Sequence, residues 1–230
     1  MLDSALVLII LAQKFNNMEF LPKNLDEYVL KHTPKESEIL YQINRETHLK
    51  VMQPRMLSGH FQGQLLKFLV EMIKPKSVLE IGTYTGYSAI AMAEGLPENG
   101  ILTTIDTNIE LEKMIDSFIC QANLTDKIIQ ITGNALEIIP TLNQSFDLIF
   151  IDADKRNYKN YLDLVIDKVN SGGYIITDNV LWSGKVTHPK ENMDLDTQLI
   201  DEYNDYVQSH PKLKSILLPV RDGLYVSRKI

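Results

Sequence analysis

The chain has a single cysteine, Cys120. That excludes an intramolecular disulfide framework and suits a reducing compartment, the cytoplasm. Cys120 falls in the apolar phase of a helical pattern and reads as a small buried residue. Basic residues are outnumbered: 23 Lys and Arg stand against 30 Asp and Glu, a net charge of −7. Such a balance argues against a broad nucleic-acid surface, although a local basic patch could survive it. Histidine is sparse, and His48 and His60 have no companion at metal-ligand spacing, so both read as surface or packing residues. Long apolar runs are missing too. Leu6 to Leu11, in MLDSALVLIILAQKF, is far too short to span a bilayer. Its first charge is Asp3 rather than a basic leader, and no small-residue cleavage site is clear, so it does not read as a signal peptide. It reads instead as a helix packing on the body or on a second subunit, or as a segment ahead of a translation start at Met18. No internal repeat, low-complexity tract or disordered linker is visible. A length of 230 residues fits one domain, 51–230, preceded by a helical extension, 1–50, of which 1–17 would fall away if Met18 is the start.

What is present is organised around SVLEIGTYTGYSAIAMAEGL, Ser77 to Leu96. Val78, Leu79 and Ile81 form a short apolar run ending at Gly82. The turn Gly82-Thr83-Tyr84-Thr85-Gly86 follows, and a helix is predicted over Ser88 to Leu96. An apolar strand, a Gly-bearing turn and a helix make the first half of a nucleotide-binding βαβ unit. The spacing is not the dinucleotide pattern, and Glu80 sits at the strand end. A pyrophosphate site keeps carboxylates away from its helix N-terminus. Glu80 instead welcomes a cation or an amine, which favours a zwitterionic ligand such as S-adenosylmethionine over phosphate. The plainer alternative is a β-turn-α connection whose glycines only permit close packing.

Upstream, Thr33-Pro34-Lys35-Glu36 has the form of a capping box and predicts a helix over Pro34 to Leu49. A proline-broken connector, Val51 to Ser58, precedes a helix from Gly59 to Lys74. Downstream, strands and helices alternate: strands at Ile101–Asp106, Lys127–Thr132, Phe146–Ile151 and Gly173–Thr177, and helices at Asn108–Gln121, Ala135–Leu142, Asn157–Val169 and Leu195–Ser209. Leu181 to Asn192 reads as a loop. Arg221-Asp222-Gly223 separates two β-like runs and predicts a terminal hairpin that adds one antiparallel strand. Five strands alternating with helices imply an α/β fold, a doubly wound, mostly parallel sheet with helices on both faces.

In such sheets ligands bind beyond the carboxyl ends of the strands. Four strand ends carry an acid: Glu80, Asp106, Asp152 and Asp178. Asp106 is placed to accept hydrogen bonds from ribose hydroxyls, or else to cap the next helix. Asp152 and the pair Asp178-Asn179 end neighbouring strands, which gathers two carboxylates and an amide oxygen. Close carboxylates repel unless a positive charge separates them. A hard divalent cation with oxygen ligands, Mg²⁺ or Ca²⁺, resolves this and leaves positions open for water and substrate. The alternative is that these acids cap helices or face solvent. Lys155, three residues after Asp152, could take a proton from a substrate hydroxyl acidified by that cation. Without the acids it would read as an ordinary solvated lysine. Trp182 either walls a planar aromatic substrate or covers the end of the sheet.

VLEIGTYTGYS, FDLIFIDADKRNY, GGYIITDNVLW and RDGLYVSRK, in that order and spacing, resemble the cation-dependent O-methyltransferases, the group of caffeoyl-CoA and catechol O-methyltransferases and their small bacterial relatives. The resemblance runs from about Val51 to the C-terminus. It implies a Rossmann-like sheet of seven strands, S-adenosylmethionine as methyl donor, a divalent cation (Mg²⁺, or Ca²⁺ or Mn²⁺) and a homodimer. It implies that Glu80, Gly82, Tyr84 and Ser88 surround the methionine part of the cofactor, that Asp106 holds the ribose, and that Ala135 lies by the adenine. Asp152, Asp178 and Asn179 match the metal ligands, with Asp152 also beside the cofactor, and Lys155 matches the proposed base. MLSGHFQGQ would line the cofactor entrance, where relatives commonly carry an acid near His60 and Gln62. Relatives also carry an acid at the position of Asn134. Substrate choice in the family often lies in the first 50 residues and in the loop from Leu181 to Asn192. The implied reaction is methyl transfer to one hydroxyl of a catechol-like small molecule, with no membrane involved. Methylation of 5-hydroxyuridine in tRNA is the alternative acceptor. A cofactor-binding protein without turnover is a weaker reading, and a nicotinamide dehydrogenase the weakest.

Overall fold

The computed structural model describes residues 21–230. The expectations for Leu6 to Leu11 and for Met18 lie outside the described residues. Seven strands follow one another along the chain: β1 (Ser77–Ile81), β2 (Ile101–Asp106), β3 (Ile128–Thr132), β4 (Phe146–Ile151), β5 (Val169–Asp178), β6 (Leu213–Leu218) and β7 (Leu224–Lys229). They form one sheet in the order β3-β2-β1-β4-β5-β7-β6. The neighbours from β3 to β5 pair in parallel. β7 runs antiparallel to both β5 and β6. The terminal hairpin therefore contributes one reversed strand, as its turn residues predict. The strand order reverses between β1 and β4, and the crevice at this switch point is where an open α/β sheet binds its ligand.

Eight α-helices are described: α1 (Lys23–Lys31), α2 (Glu38–Lys50), α3 (Gly59–Ile73), α4 (Tyr87–Glu94), α5 (Glu112–Gln121), α6 (Ala135–Thr141), α7 (Tyr158–Val165) and α8 (Leu195–Ser209). Alternation along the central strands divides the core in two. Val78, Leu148, Phe150 and Ile176 meet Leu40, Leu66, Ile90 and Ile115 from α2 to α5. Leu79, Ile81, Ile149 and Ile175 meet Ile139, Leu162 and Tyr203 from α6 to α8. Residues on α2 thus share a core with the sheet rather than forming a core of their own. Among the described residues no helix is long and apolar enough to cross a membrane.

Several local expectations are corrected. α2 starts at Glu38, not Pro34, with the Ser37 hydroxyl accepting the Leu40 N–H. The supposed capping box is spent elsewhere: the Thr33 hydroxyl donates to the Val29 carbonyl, and the Glu36 carboxylate accepts from the Tyr87 hydroxyl. α5 starts at Glu112 rather than Asn108, because the Asp106 carboxylate takes the Asn108 N–H and holds those residues in a turn. Val169 belongs to β5, where it pairs with Phe146 ahead of a bulge, and not to α7. Valine fits either period, and pairing with the buried Phe146 of β4 decides it. Leu181 to Asn192 contains two short 3₁₀ turns, Trp182–Thr187 and Lys190–Asn192. Cys120 is exposed. The buried stripe of α5 runs through Ile115, Phe118 and Ile119, and Cys120 lies one helical step beyond its edge.

Candidate active site

The turn after β1 is built by two strand ends. The Gly82 N–H donates to the Ile105 carbonyl and the Asp152 N–H to the Ile81 carbonyl, so β2, β1 and β4 are tied together at their carboxyl ends. Gly82 has φ +104°, and a Cβ there would stand 1.9 Å from the Asp152 carbonyl oxygen. Only glycine permits this approach. Gly86 has φ +84° and opens α4.

Two cavities meet at this turn. The larger, about 900 Å³, is bordered by Ser88, Lys155, Asp178, Asn179 and Trp182. The smaller, about 600 Å³, is bordered by Asp106, Gly133, Ala135 and Tyr161. Gly82, Tyr84 and Asp152 border both. The Tyr84 hydroxyl, donating to the carbonyls of Met52 and Gln53, closes the connector over the turn.

The sequence-selected residues sit as follows. Asp106 accepts the N–H groups of Thr83 and Tyr84 at 2.9 and 2.7 Å through Oδ2 and that of Asn108 at 2.9 Å through Oδ1. It organises the glycine turn while bordering the smaller cavity. Ala135 opens α6, whose cap is Asn134, its side chain accepting the Leu136 N–H. Glu80 is fully buried and lines neither cavity; its neighbour Ser88 lines the larger one. The Thr104 hydroxyl donates to Glu80 Oε2 at 2.6 Å, whereas Oε1 has no partner among the described residues. Burial pushes the Glu80 carboxyl up to about 8, against the opposing pull of the Ser88 and Thr104 hydroxyls. An orphaned buried carboxylate oxygen suits an ammonium-bearing ligand.

A testable consequence follows from that carboxyl. Its ordinary value is 4.5 and its folded value about 8. A raised acid stabilises the fold fully below the unfolded value, and that contribution is lost as pH climbs to the folded value. Ligand-free protein is therefore expected to lose thermal stability progressively from about pH 4.5 to about pH 8. Melting curves of Glu80→Gln should show a shallower fall over this window; an unchanged slope would contradict the assignment.

Asp152, Asp178, Asn179 and Lys155 do come together. Lys155 Nζ donates to Asp152 Oδ1 at 3.1 Å and to Asn179 Oδ1 at 2.8 Å. It also donates to the Tyr158 hydroxyl, which in turn donates to the Asp178 carbonyl. Asp178 is buried, and desolvation first and the Asp152 charge second push its carboxyl up to about 7. Among the described residues no group of three His, Cys, Asp or Glu side chains forms a metal cluster. The donor set here is two carboxylates and one amide. It is all oxygen and carries excess negative charge, which fits a hard divalent cation. Trp182 borders the larger cavity in a left-handed conformation, and its buried Nε1 has no partner among the described residues.

Fold and site define a class: a doubly wound α/β enzyme with a glycine-turned, acidic crevice at the β1/β4 switch point. A model of the O-methyltransferase family matches residues 30–230. Caffeoyl-CoA O-methyltransferase of Stellaria longipes is 32% identical over 220 residues, covering 90% of this chain and 91% of that protein. Caffeoyl-CoA O-methyltransferase of Eucalyptus gunnii is 35% identical over 218 residues, covering 90% and 87%. Among solved structures, an O-methyltransferase from Bacillus cereus in complex with SAH superposes with a TM-score of 0.83 at 28% identity, covering 90% of this chain and 97% of that one. The O-methyltransferase TomG of Streptomyces achromogenes, in complex with SAM, gives 0.81 at 28% identity, covering 90% and 96%. The chain belongs to the O-methyltransferase family. It is an S-adenosylmethionine-dependent O-methyltransferase.

Sequence reasoning placed Gln62 only within the MLSGHFQGQ stretch at the cofactor entrance and passed over Asp154, Tyr158 and the pair Arg221-Asp222 as site residues, yet Gln62, Asp154, Arg221 and Asp222 border the larger cavity and Tyr158 contacts Lys155. A signal for the last pair existed. β7 is antiparallel, so the turn before it falls at the carboxyl edge of the sheet. There the Asp222 carbonyl accepts the Leu181 N–H and its carboxylate the Ser183 N–H, fixing the loop that carries Trp182.

Proposed function

We propose that this enzyme transfers the methyl group of S-adenosylmethionine to one hydroxyl of a vicinal dihydroxy aromatic small molecule, with a divalent cation, Mg²⁺ foremost, held by Asp152, Asp178 and Asn179. The observation that carries the reading is the meeting of Asp152 Oδ1 and Asn179 Oδ1 on the Lys155 side chain, with Asp178 bordering the same larger cavity. Held there, a divalent cation would supply Lewis acidity to the paired oxygens of the acceptor and so acidify one hydroxyl. Lys155 Nζ, freed from its oxygen partners and in its neutral amine form, would take that proton. Glu80 and Ser88 would hold the methionine amine, Asp106 the ribose and Ala135 the adenine side of the donor. Tyr84 and Gly82, bordering both cavities, would keep the methyl group at their junction. Trp182 would lie against the aromatic ring and exclude water. Orientation of two reactants in adjoining cavities supplies the larger part of the rate.

The test is a panel of acceptors offered with S-adenosylmethionine and Mg²⁺: catechols, matched monophenols and bulk tRNA. The expected outcome is transfer to catechols with monophenols at least about a hundredfold slower, the loss that follows from removing one of two orienting contacts. Equal rates on monophenols, or transfer to tRNA alone, would overturn the acceptor assignment.

A further inference from the structure

Asp178 is held from the far side by a chain of contacts that runs through Gln62 and Arg221. Gln62, on α3 and buried, donates through Nε2 to Asp178 Oδ2 at 2.5 Å. Its amide oxygen accepts from Arg221 Nη1 at 2.6 Å. The same guanidinium nitrogen donates to the Ser58 carbonyl at the start of α3. The remaining Asp178 oxygen, Oδ1, accepts the Asn179 N–H at 2.7 Å.

The polarity of this chain is forced. A guanidinium has donors and no acceptor, so only the oxygen of the Gln62 amide can face Arg221. The amide NH₂ then faces Asp178, whose ionised carboxylate, the form that binds a cation, can only accept. Arg221 therefore decides which way Gln62 points, and Gln62 decides which way Asp178 points. The link also joins three distant stretches of chain: the first turns of α3, the end of β5 and the turn before β7. Arg221 itself sits at φ +49°, in a region that non-glycine residues adopt at a cost. Its backbone accepts that conformation while the side chain reaches α3.

We infer that Gln62 and Arg221 are positioning residues for the metal site: Arg221 orients the Gln62 amide, and Gln62 fixes the Asp178 carboxylate in the direction in which it presents an oxygen to a divalent cation. The inference rests on the metal reading above. Groups that hydrogen-bond a metal-ligating carboxylate typically change metal affinity by about 10–100-fold when removed. Arg221 acts through Gln62, so its loss should matter only while Gln62 is present.

The experiment is Mn²⁺ binding to the full chain with S-adenosylhomocysteine present, followed by the electron paramagnetic resonance of free Mn²⁺. Wild type, Gln62→Met, Arg221→Met and the double variant are compared, with melting temperatures recorded in parallel. Methionine keeps the length of glutamine and the stem of arginine without their polar heads. Each single variant is expected to weaken Mn²⁺ binding about tenfold or more, and the double variant to be no worse than Gln62→Met alone. The Michaelis constant for the catechol should rise with the Mn²⁺ dissociation constant, while kcat at saturating metal stays near that of wild type. If Gln62→Met does not fold, Arg221→Met decides the matter, because its altered side chain reaches in from the surface. A folded Arg221→Met with wild-type Mn²⁺ affinity overturns the inference, as do losses that add in the double variant. Wild type that binds no Mn²⁺ overturns the metal reading itself and this inference with it.

Discussion

Replacing Lys155 with methionine is expected to lower kcat for methyl transfer by about 10²–10⁴-fold, the usual contribution of a positioned acid-base group, with little change in the Michaelis constant for S-adenosylmethionine. The expectation comes from where the ammonium stands. Its nitrogen lies 3.1 Å from Asp152 Oδ1 and 2.8 Å from Asn179 Oδ1, between two of the oxygens assigned to the cation. It also sits 4.7 Å from the centre of the Tyr158 ring, so it is held and not swinging in solvent. Any acceptor hydroxyl reaching those oxygens comes within reach of Nζ. Lys155→Arg keeps the charge but cannot lose its proton at any working pH, so it should not rescue turnover. Raising the pH should restore part of the rate in Lys155→Met, as hydroxide replaces the missing base. A kcat within about twofold of wild type in Lys155→Met would remove lysine from the mechanism.

Gly82→Ala is expected to lower the melting temperature by roughly 10 °C and to abolish turnover in whatever protein remains folded. The added Cβ would lie 1.9 Å from the carbonyl oxygen and 2.7 Å from the carbonyl carbon of Asp152. Both are backbone atoms and cannot rotate aside. The φ of +104° is strained for any residue with a side chain. Overpacking and backbone strain together cost about 4 kcal/mol, and a domain of this size loses about 2–4 °C per kcal/mol. Relief requires β1 and β4 to separate at their carboxyl ends, which moves Asp152 away from Asn179 and Lys155. Differential scanning calorimetry and a turnover assay check both halves. A variant melting within about 2 °C of wild type with full activity would show that the two strand ends have slack.

How much of this was legible in the sequence depended on how local the cause was. β2, β4 and α8 run between the residues that their periodicity marks, because alternation and the helical repeat report burial directly. The acids at strand ends were legible for the same reason: once a strand is placed, its carboxyl end follows. Helix starts were less so. The Thr33–Glu36 box fails because Glu36 meets Tyr87, a partner far along the chain. Cys120 misleads because the helical repeat locates a face but not its edge. Gln62 and Arg221 were invisible as a pair. Nothing in either stretch signals the other, and only the antiparallel β7 brings the hairpin turn to the crevice. Asp106 was read as a ribose ligand or a cap. In the fold its Oδ2 also accepts the Thr83 and Tyr84 N–H groups of the glycine turn while Oδ1 takes the Asn108 N–H, a duty that depends on β1 and β2 lying side by side.

The central claim is that Asp152, Asp178 and Asn179 hold a cation required for methyl transfer. It is tested most directly by measuring transfer from S-adenosylmethionine to a catechol in Mg²⁺, then in excess EDTA, then after Mg²⁺ is restored. Turnover is expected in the first state, loss to background in the second and recovery in the third. Transfer that continues undiminished in EDTA would contradict the claim and would leave Asp152 and Asn179 as structural partners of Lys155.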